Sequence, residues 1–418
     1  MSRFVLVGGG VATAATAAGL REAGFDGEIV LVAAEPHLPY ERPPLSKEYL
    51  AGTFALADFQ VDEASWYADN AVEAVLGTRV RQLDLAQRRV ALSDGRSLAY
   101  DSLVLGTGVR ARTLPGFAGE RVHTLRTLAD SQRLGARLAP GTHLAILGAG
   151  FIGCEVAAIA VAKGVRVTII EPEPLPLARA LGPDVARAML GIHGDHGVEI
   201  RTGELVTAMT ETASGLELHT RDGAVIVCDE LLVGVGSVPN AELAVEAGLV
   251  VDSATGGGIL TDEFGRTSAP DVHAIGDVAV RWHPEHGRRI RVEHHDTARR
   301  HGQNLARNLL GEAVPFTDPH WFWSWQHEHN LQSLGQFRGE GETVVRGAVE
   351  ERSFSVFSLV DGRITAMVAL DRPRDVIQVR KVMTVPHEVT AAQLTDEDFP
   401  IKSLLPRKAR AGRPEVRA

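Results

Sequence analysis

Hydrophobic residues near the amino terminus form two short continuous runs, at positions 4–7 and 29–32. A glycine-rich turn and an alanine-rich stretch that ends near Arg21 lie between the two runs. Short apolar runs of this kind are typical of strands that are buried on both faces of a parallel sheet. The pattern therefore predicts a strand–turn–helix–strand unit over residues 4–35.

The same order of elements recurs between residues 144 and 171. Apolar runs at 144–147 and 165–170 flank the turn Gly148-Ala-Gly-Phe-Ile-Gly153. No third copy continues the period, so a solenoid is excluded. The chain is expected to contain two separate βαβ units.

Shorter strand-like segments fill much of the remaining chain. We expect β structure at 79–90, 97–105, 231–236 and 272–277. Beyond Pro315 the pattern changes to alternating runs such as 353–359, which predicts a further domain. These elements predict an α/β protein with two Rossmann-like dinucleotide-binding domains and a C-terminal α+β domain.

The first glycine-rich turn has the spacing that a bound dinucleotide requires. Gly8 permits a tight turn, and Gly10 lets the backbone approach a pyrophosphate. Thr13 stands where a third glycine would allow close packing of the helix on the strand. The helix that starts at Val11 and Ala12 offers unpaired N–H groups to phosphate oxygens.

The second turn carries the complete motif. Gly148, Gly150 and Gly153 occupy the three glycine positions. Phe151 and Ile152 begin the following helix, whose N–H groups again point towards a phosphate. A single motif of this kind is a weak signal because glycine turns also serve packing alone, but two complete strand–turn–helix–strand contexts are a strong one.

Each unit also ends beside a carboxylate that can accept hydrogen bonds from a ribose, Glu35 in the first and Glu171 in the second. A carboxylate repels a 2′-phosphate, and no arginine occurs at 172–175. The second unit is therefore expected to prefer NADH to NADPH.

Composition narrows the function further. The chain has 418 residues and a net charge of −10, which argues against a general nucleic-acid binder. Its only cysteines, Cys154 and Cys228, cannot form a disulfide scaffold, a four-cysteine zinc site or an iron–sulfur cluster. Electron chemistry must then use an organic cofactor or the metal of a partner. Since no signal peptide or spanning apolar run is recognised, we expect a cytoplasmic protein.

Several segments together resemble a known family. They are Pro39-Tyr-Glu-Arg-Pro-Pro-Leu-Ser-Lys47, Ala-Ile-Gly-Asp277, Arg291-Val-Glu-His-His-Asp296 and Phe322-Trp-Ser324. From about residue 3 to about residue 400, the chain is similar to the FAD-dependent, NADH-using ferredoxin reductases of oxygenase systems. The resemblance implies a glutathione-reductase-like fold. It assigns 1–113 and 241–317 to an FAD-binding domain, 114–240 to an NADH-binding domain, 318–403 to a C-terminal domain and 404–418 to a flexible tail.

The resemblance also implies roles for individual residues. Glu35 would bind the FAD ribose, Arg42 and Lys47 would lie along FAD, and Asp277 would bind the ribityl chain. The further FAD contacts expected are Gly8, Gly10, Val11, Ala12, Pro43, Val80, Thr107, Gly108, Arg110, Gly276, His295 and Trp323. The residues expected at NADH are Gly148, Gly150, Phe151, Ile152, Gly153, Glu155, Glu171 and Gly236. Without the resemblance, Asp277 is more simply a turn aspartate.

Lys47 and Glu155 are the candidate catalytic residues. In the family the lysine lies close to flavin N5 and pairs with the glutamate. A cation there would stabilise the negative charge that the flavin acquires with hydride, and the paired carboxylate could hold the nicotinamide amide. Taken alone, Lys47 would be a solvated lysine and Glu155 an acid favoured by the helix dipole.

A redox role for Cys154 is rejected. The disulfide reductases of the superfamily carry a Cys-x-x-x-x-Cys pair soon after the first βαβ unit, whereas no cysteine precedes Cys154 here. A small residue in a packed helix is the simpler account. The sixteen histidines include close pairs at 283/286, 294/295 and 327/329, but none has the ligand spacing of a metal site, so no metal is expected.

The aromatic segment 321–325 departs from the family pattern Phe-Trp-Ser-Asp. Trp323 matches the tryptophan that lies near the flavin or nicotinamide face, and Trp325 replaces the acid. The hydrogen bond that this acid makes and the docking surface for a partner are left open by that replacement. Core packing accounts for Trp321 equally well.

The function implied is transfer of hydride from NADH to FAD, followed by single electrons to a separate 2Fe–2S ferredoxin. That ferredoxin would serve a haem-thiolate monooxygenase or a Rieske dioxygenase. Two alternatives stay open: an NADH oxidase or quinone-type reductase, and a protein like apoptosis-inducing factor that responds to NADH and acts on a partner.

The uneven charge suggests where an acidic ferredoxin would bind. Residues 281–301 carry a net charge of +3 and residues 402–418 a net charge of +5, within a chain of −10. A mobile tail is the simpler account of the second segment. The arginines of the first segment that we expect to form a docking patch are Arg288, Arg289, Arg291, Arg299 and Arg300. A monomer or a homodimer is expected.

Overall fold

The computed structural model describes residues 2–254, 256–284, 287–337 and 341–406. The tail predicted at 404–418 lies outside these ranges from residue 407 onward, and so does His286. Three five-stranded sheets and several smaller ones form the described part of the chain.

The first predicted unit lies within a parallel five-stranded sheet. Its strands are β1 (Arg3–Val7), β2 (Glu28–Val32), β3 (Val72–Val75), β7 (Ser102–Leu105) and β19 (Val272–Ala274). The spatial order is β19-β7-β1-β2-β3, so a strand from beyond residue 270 joins the strands of the amino-terminal segment. The last four residues of β1 and β2 are buried, as expected of strands covered on both faces.

The second unit forms a second parallel sheet. Its strands are β9 (Val122–His123), β10 (His143–Leu147), β11 (Arg166–Glu171), β12 (Glu199–Thr202) and β16 (Glu230–Val233), in the order β12-β11-β10-β16-β9. Helix α5 (Phe151–Ala162) connects β10 to β11. The two βαβ units predicted from the hydrophobic pattern are therefore confirmed.

Smaller sheets cover the ends of these two. They consist of β4 (Val80–Asp84), β5 (Arg89–Leu92) and β6 (Ser97–Ala99); β8 (Val109–Ala111) and β17 (Ser237–Pro239); β13 (Val206–Glu211), β14 (Leu216–Thr220) and β15 (Val225–Cys228); and β18 (Ile259–Thr261), β20 (Ala279–His283) and β21 (Arg288–Ile290). Strand β8 precedes the second unit in the sequence and β17 follows it, and the two strands pair with each other.

The C-terminal segment forms an antiparallel sheet. Its strands are β22 (Trp321–Gln326), β23 (His329–Gly335), β24 (Glu342–Ala348), β25 (Ser353–Val360) and β26 (Arg363–Leu370), in the order β22-β23-β26-β25-β24. Helices α10 (Pro373–Val382) and α11 (Ala391–Thr395) pack on it. The buried Arg346 donates hydrogen bonds to the carbonyls of Leu394 and Phe399, which fixes the segment after β26 against the sheet.

The remaining helices are α1 (Val11–Glu22), α2 (Glu48–Ala51), α3 (Ala64–Asp69), α4 (Leu128–Gly135), α6 (Ala178–Leu181), α7 (Pro183–Asp195), α8 (Glu242–Glu246) and α9 (His295–Leu309). Short 3-10 helices span Pro43–Ser46, Leu56–Phe59, Gly276–Val278 and Ile401–Leu404. Helix α9 crosses α1 so closely that a Cβ on Gly302 would lie 2.1 Å from the carbonyl oxygen of Ala12. This contact brings the start of α9 to the first glycine-rich turn.

Within the described ranges, no helix is long and apolar enough to cross a membrane. The α/β architecture with two Rossmann-like units and a C-terminal α+β domain agrees with the fold class predicted from the sequence.

Candidate functional site

A cavity of about 760 Å³ opens at the carboxyl ends of β1 and β7, where the order of the first sheet reverses direction. Ligands of open α/β sheets bind at this kind of position. The loop 40–47, the start of α5, the start of α9 and strand β22 complete its walls. The volume falls in the range of about 300–1,000 Å³ that is usual for cofactor sites.

The first glycine-rich turn forms one end of the cavity. Gly8 has φ +139°, and a Cβ there would lie 2.1 Å from the carbonyl oxygen of Gly106. A larger residue would therefore break the contact between the two turns. Thr13, in the position of the third glycine, is completely buried, and its hydroxyl donates to the carbonyls of Gly8 and Gly10 at 2.8 and 2.9 Å. The threonine thus holds the turn by hydrogen bonds.

Glu35 lies in the cavity wall with donors already on both carboxylate oxygens. Arg42 Nη2 lies 2.9 Å from Oε1, and the Tyr40 hydroxyl donates to Oε2 at 2.6 Å. Burial of Tyr40 raises the pKa of its phenol to about 12, so the hydroxyl stays a donor. Tyr40 was not singled out in the sequence, although it belongs to the motif segment that ends at Lys47.

Asp277 also lines the cavity and follows β19 in the chain. Its Oδ2 is 2.7 Å from Arg126 Nη2, and Arg126 also donates from Nε to the carbonyl of Val109. Arg126 follows β9, and no motif in the sequence marks it as a site residue.

Lys47 and Glu155 meet in the cavity wall. Lys47 Nζ lies 2.6 Å from Glu155 Oε2, and both residues are less than a tenth exposed. Ser46 donates to the same oxygen at 2.5 Å, and Ser324 donates to Oε1 at 2.6 Å. A buried ammonium is tolerable only beside a counter-charge, which Glu155 provides. The structure thus brings together the two residues that the sequence selected from distant segments.

Every residue expected to contact FAD lines this one cavity. Three of the residues expected at NADH, Phe151, Ile152 and Glu155, line it as well. The other five, which do not line it, are Gly148, Gly150, Gly153, Glu171 and Gly236. Cavity-lining residues that sequence reasoning missed include Tyr40, Ser46, Thr78, Arg126, Asn240 and Phe322.

The five residues that do not line the cavity lie at or after the carboxyl ends of strands in the second sheet. Gly148 has φ +97°, and a Cβ there would lie 2.7 Å from the carbonyl oxygen of Gly234. Glu171 accepts hydrogen bonds from the backbone N–H of Ala149 at 2.7 Å and of Glu173 at 2.9 Å. Its carboxylate therefore lies against the second glycine-rich turn, where a ribose would be recognised.

The aromatic strand β22 separates the cavity from the outside. Trp323 lines the cavity, stacks on Trp321 with ring centroids 5.0 Å apart, and meets His295 edge-on at 5.7 Å. Trp323 also lines a second groove of about 530 Å³ on the outer face of the strand. Trp325, in the position of the family acid, is 47% exposed in this groove.

Neither cysteine has the surroundings of a redox centre. Cys154 is fully buried in α5, and burial raises the pKa of its thiol. Burial also raises the pKa of Cys228 to about 12. Both thiols stay protonated and unreactive at neutral pH. Among the residues described, no group of three histidine, cysteine, aspartate or glutamate side chains could hold a metal ion.

Comparison with known proteins agrees with this geometry. The family model for pyridine nucleotide-disulphide oxidoreductases matches residues 2–302, and the reductase C-terminal model matches residues 321–405. Rhodocoxin reductase of Rhodococcus erythropolis is 37% identical, over 99% of this chain and 96% of its own. The ferredoxin–NAD(+) reductase component of the anthranilate 1,2-dioxygenase system of Burkholderia cepacia is 38% identical, over 96% of this chain and 99% of its own.

Solved structures show the same relationship. The reductase chain of a covalent putidaredoxin reductase–putidaredoxin complex superposes with a TM-score of 0.92 and 34% identity, over 96% of this chain and 98% of its own. A water-forming NADH oxidase from Lactobacillus brevis, at 20% identity and a TM-score of 0.82, shares the fold alone. The chain belongs to the pyridine nucleotide-disulphide oxidoreductase family, in the group of ferredoxin reductases of oxygenase systems. It is an oxidoreductase that binds FAD and uses NAD(H).

The cavity fits FAD by its own chemistry. The turn at Gly8 lets the backbone approach a phosphate, and helix α1 points its N-terminus there. Glu35 offers a carboxylate for a ribose, and Asp277 one for a polyol. Phe151, Phe322 and Trp323 supply the aromatic surface that a flat ring system needs.

Proposed function

We propose that this protein is a ferredoxin reductase that takes electrons from NADH and delivers them one at a time to a separate 2Fe–2S ferredoxin. The ferredoxin would serve a Rieske dioxygenase or a haem-thiolate monooxygenase. The observation that carries the proposal is the buried Lys47–Glu155 pair, which joins the cavity wall to helix α5 of the second unit. Bound FAD supplies the conversion from a two-electron donor to a one-electron acceptor.

We assign the cavity-lining residues of 1–113 and 241–317 to FAD, and the turn of the second sheet, within 114–240, to NADH. Support for this division comes from β19, which pairs with β7 and so joins the two FAD segments in one sheet. Residues 318–403 form the C-terminal domain, whose strand β22 closes the cavity.

Lys47 has the role of an electrostatic stabiliser. Its ammonium is held in a site where water is largely excluded, so its charge acts strongly on a group in the cavity. Glu155 is the counter-charge of the ammonium and fixes its direction. Glu155, Phe151 and Ile152 together line the part of the cavity where the nicotinamide amide would be held.

Glu171 favours NADH over NADPH. Its carboxylate is fixed at the second turn by two backbone N–H groups. A 2′-phosphate at this position would meet the negative charge directly, whereas a ribose hydroxyl could donate to it.

The ferredoxin is proposed to dock beside the start of α9. Arg289 and Arg299 are exposed, and Arg288 is half-buried. Arg291 pairs with Glu293, and Arg300 pairs with Asp296 and Asp318. The exposed positive charge of this patch therefore comes mainly from Arg289 and Arg299, which could steer an acidic partner towards the flavin cavity.

Reduction of cytochrome c tests the function. We expect rapid reduction with NADH only when a 2Fe–2S ferredoxin is added, and a slower rate when NADPH replaces NADH at the same concentration. Equal rates with and without ferredoxin would contradict the proposal and favour a reductase of small acceptors. A long-lived complex of reduced flavin with NAD⁺ that no ferredoxin reoxidises would favour a protein that responds to NADH as a signal.

A further inference from the structure

A continuous chain of hydrogen bonds leads away from Glu155 on the side opposite Lys47. Ser324 Oγ donates to Glu155 Oε1 at 2.6 Å, and Gln326 Nε2 donates to Ser324 Oγ at 3.0 Å. Ser324 and Gln326 are two residues apart on β22 and therefore project from the same face of the strand. Both are at most 1% exposed, so no solvent competes for these hydrogen bonds.

The chain continues to the surface through histidines. His193 of α7 is fully buried, and its Nε2 lies 2.8 Å from Gln326 Oε1. Its Nδ1 lies 3.2 Å from Nε2 of His327, in the turn between β22 and β23. His327 has φ +54° and stacks on the half-buried His196 with ring centroids 3.8 Å apart. This chain of hydrogen bonds thus runs from the cavity wall to the outside of the second unit.

The donors and acceptors along the chain can point in only two directions. The Ser324 hydroxyl has a single hydrogen, and giving it to Glu155 makes Ser324 an acceptor for the amide of Gln326. The amide oxygen then faces His193 Nε2, which must carry the hydrogen, and Nδ1 becomes an acceptor for His327. The reverse direction requires a hydrogen on Glu155, an amide of Gln326 turned over so that its oxygen faces Ser324, and a hydrogen on His193 Nδ1.

The charges at the inner end decide the direction. Lys47 and the Ser46 hydroxyl both face Oε2 of Glu155, and Lys47 Nζ forms an ion pair with this oxygen at 2.6 Å, so the hydrogen between Glu155 and Ser324 is assigned to the serine hydroxyl. At the outer end, burial lowers the pKa of His193, and burial and the neighbouring histidines lower the pKa of His327 to about 4. Both rings are then neutral at pH 7 and can each hold one tautomer.

We propose that this chain of hydrogen bonds holds the carboxylate of Glu155 in a fixed orientation towards Lys47. Its inner members, Ser324, Gln326 and His193, are positioning residues that act on the cavity through Glu155. The inference rests on the proposed function only in taking the cavity as the flavin site. The titratable groups that face the chain are Lys47 at the inner end and His196, His327, Glu328 and His329 at the outer end.

The tautomer of His193 tests the direction of the chain without any turnover. Two-bond proton–nitrogen correlation spectra of the flavin-containing protein, labelled with nitrogen-15 in histidine, should show His193 as the neutral Nε2–H form between about pH 6 and 8. An Nδ1–H form or a charged ring would overturn the proposal. Failure of the proposed function would instead appear as flavin that NADH cannot bleach, so the two failures are distinguishable.

Variants test whether the chain acts on Glu155. The readout is the pH dependence of the visible spectrum of the bound oxidised flavin. We expect H193L to move the midpoint of that dependence by about one pH unit, because Glu155 loses its fixed orientation beside the flavin. H193Q keeps an N–H near the position of Nε2 and should give the wild-type pH dependence.

The isosteric Q326E removes the donor to Ser324 and should act in the same direction as H193L. Its matched control is Q332E on β23, where Gln332 bonds Trp321 and Asn330 and no member of the chain. If H193L does not fold, Q326E and S324A, which removes a single hydroxyl, provide the same test. Variants that all titrate as the wild type does, or a shift in Q332E as large as that in Q326E, would overturn the proposal.

Discussion

At the scale of single residues, the site depends on charges that are buried and paired. Three polar atoms contact the two carboxylate oxygens of Glu155, which lies on helix α5. They come from two distant parts of the chain, Ser46 and Lys47 in one loop and Ser324 on β22. An unpaired charge at this depth would be strongly destabilising. The arrangement therefore couples the stability of the site to its electrostatics.

Lys47→Met separates these two effects. The variant keeps the length of the side chain but leaves Glu155 without its counter-charge, and we expect a loss of roughly 3–5 kcal/mol in stability. The double variant K47M/E155Q should regain most of that stability. Bleaching of the flavin by NADH should be slowed roughly 10²-fold in both variants, because neither supplies the cation.

Thermal unfolding and anaerobic stopped-flow absorbance measure the two quantities on the same samples, with the flavin content as a control for binding. A wild-type bleaching rate in K47M would contradict the role given to the lysine. Recovery of the rate in the double variant would contradict it equally, since the cation is still absent there.

At the scale of elements, helix α9 carries two histidines that burial keeps neutral. His301 is buried against Phe316 with ring centroids 5.0 Å apart, and burial lowers its pKa well below the usual value. Burial also lowers the pKa of His294, the residue directly before the helix, to about 4. In the unfolded chain both titrate near pH 6.5, so acidification charges them only after unfolding.

Stability is therefore expected to be constant above about pH 7 and to fall from about pH 6.5 towards pH 4, as the unfolded state takes up protons that the native state refuses. At pH 5.5 His294 alone should cost about 1 kcal/mol. His301→Gln should flatten the dependence of the unfolding temperature on pH, whereas His219→Gln on the β13–β14 hairpin should leave it unchanged. An identical pH dependence in the His301 variant and the wild type would contradict this account.

The elements show what sequence reasoning can and cannot reach. Apolar runs and glycine spacing locate β1, α1, β2, β10, α5 and β11, because a parallel strand buried on both faces has a distinctive local pattern. Arg126 and Tyr40 escape that reasoning, because they enter the site through tertiary packing that no local pattern records. Ser324 lies within a recognised motif, yet its bond to Glu155 spans 169 residues of sequence and becomes visible only in the fold.

At the scale of the whole molecule, charge is distributed unevenly over a chain of net charge −10. The exposed arginines Arg289 and Arg299 lie on β21 and on α9, and the start of α9 lines the flavin cavity. We expect R289E/R299E to lower the second-order rate of ferredoxin reduction by roughly tenfold at low ionic strength, because steering depends on this field.

The effect should shrink as salt is added, because salt screens exposed charges. Bleaching of the flavin by NADH is the control and should be unchanged, since neither arginine lines the cavity. A double variant that reduces ferredoxin at the wild-type rate at every ionic strength would place the docking surface elsewhere.

The central claim is that one hydride equivalent from NADH leaves this protein as two single electrons on a ferredoxin. The most direct measurement is an anaerobic titration in which NADH is added to the flavin-containing protein with an excess of oxidised 2Fe–2S ferredoxin. We expect two molecules of ferredoxin to be reduced for each NADH consumed. Flavin that is bleached by NADH while the ferredoxin stays oxidised would contradict the account.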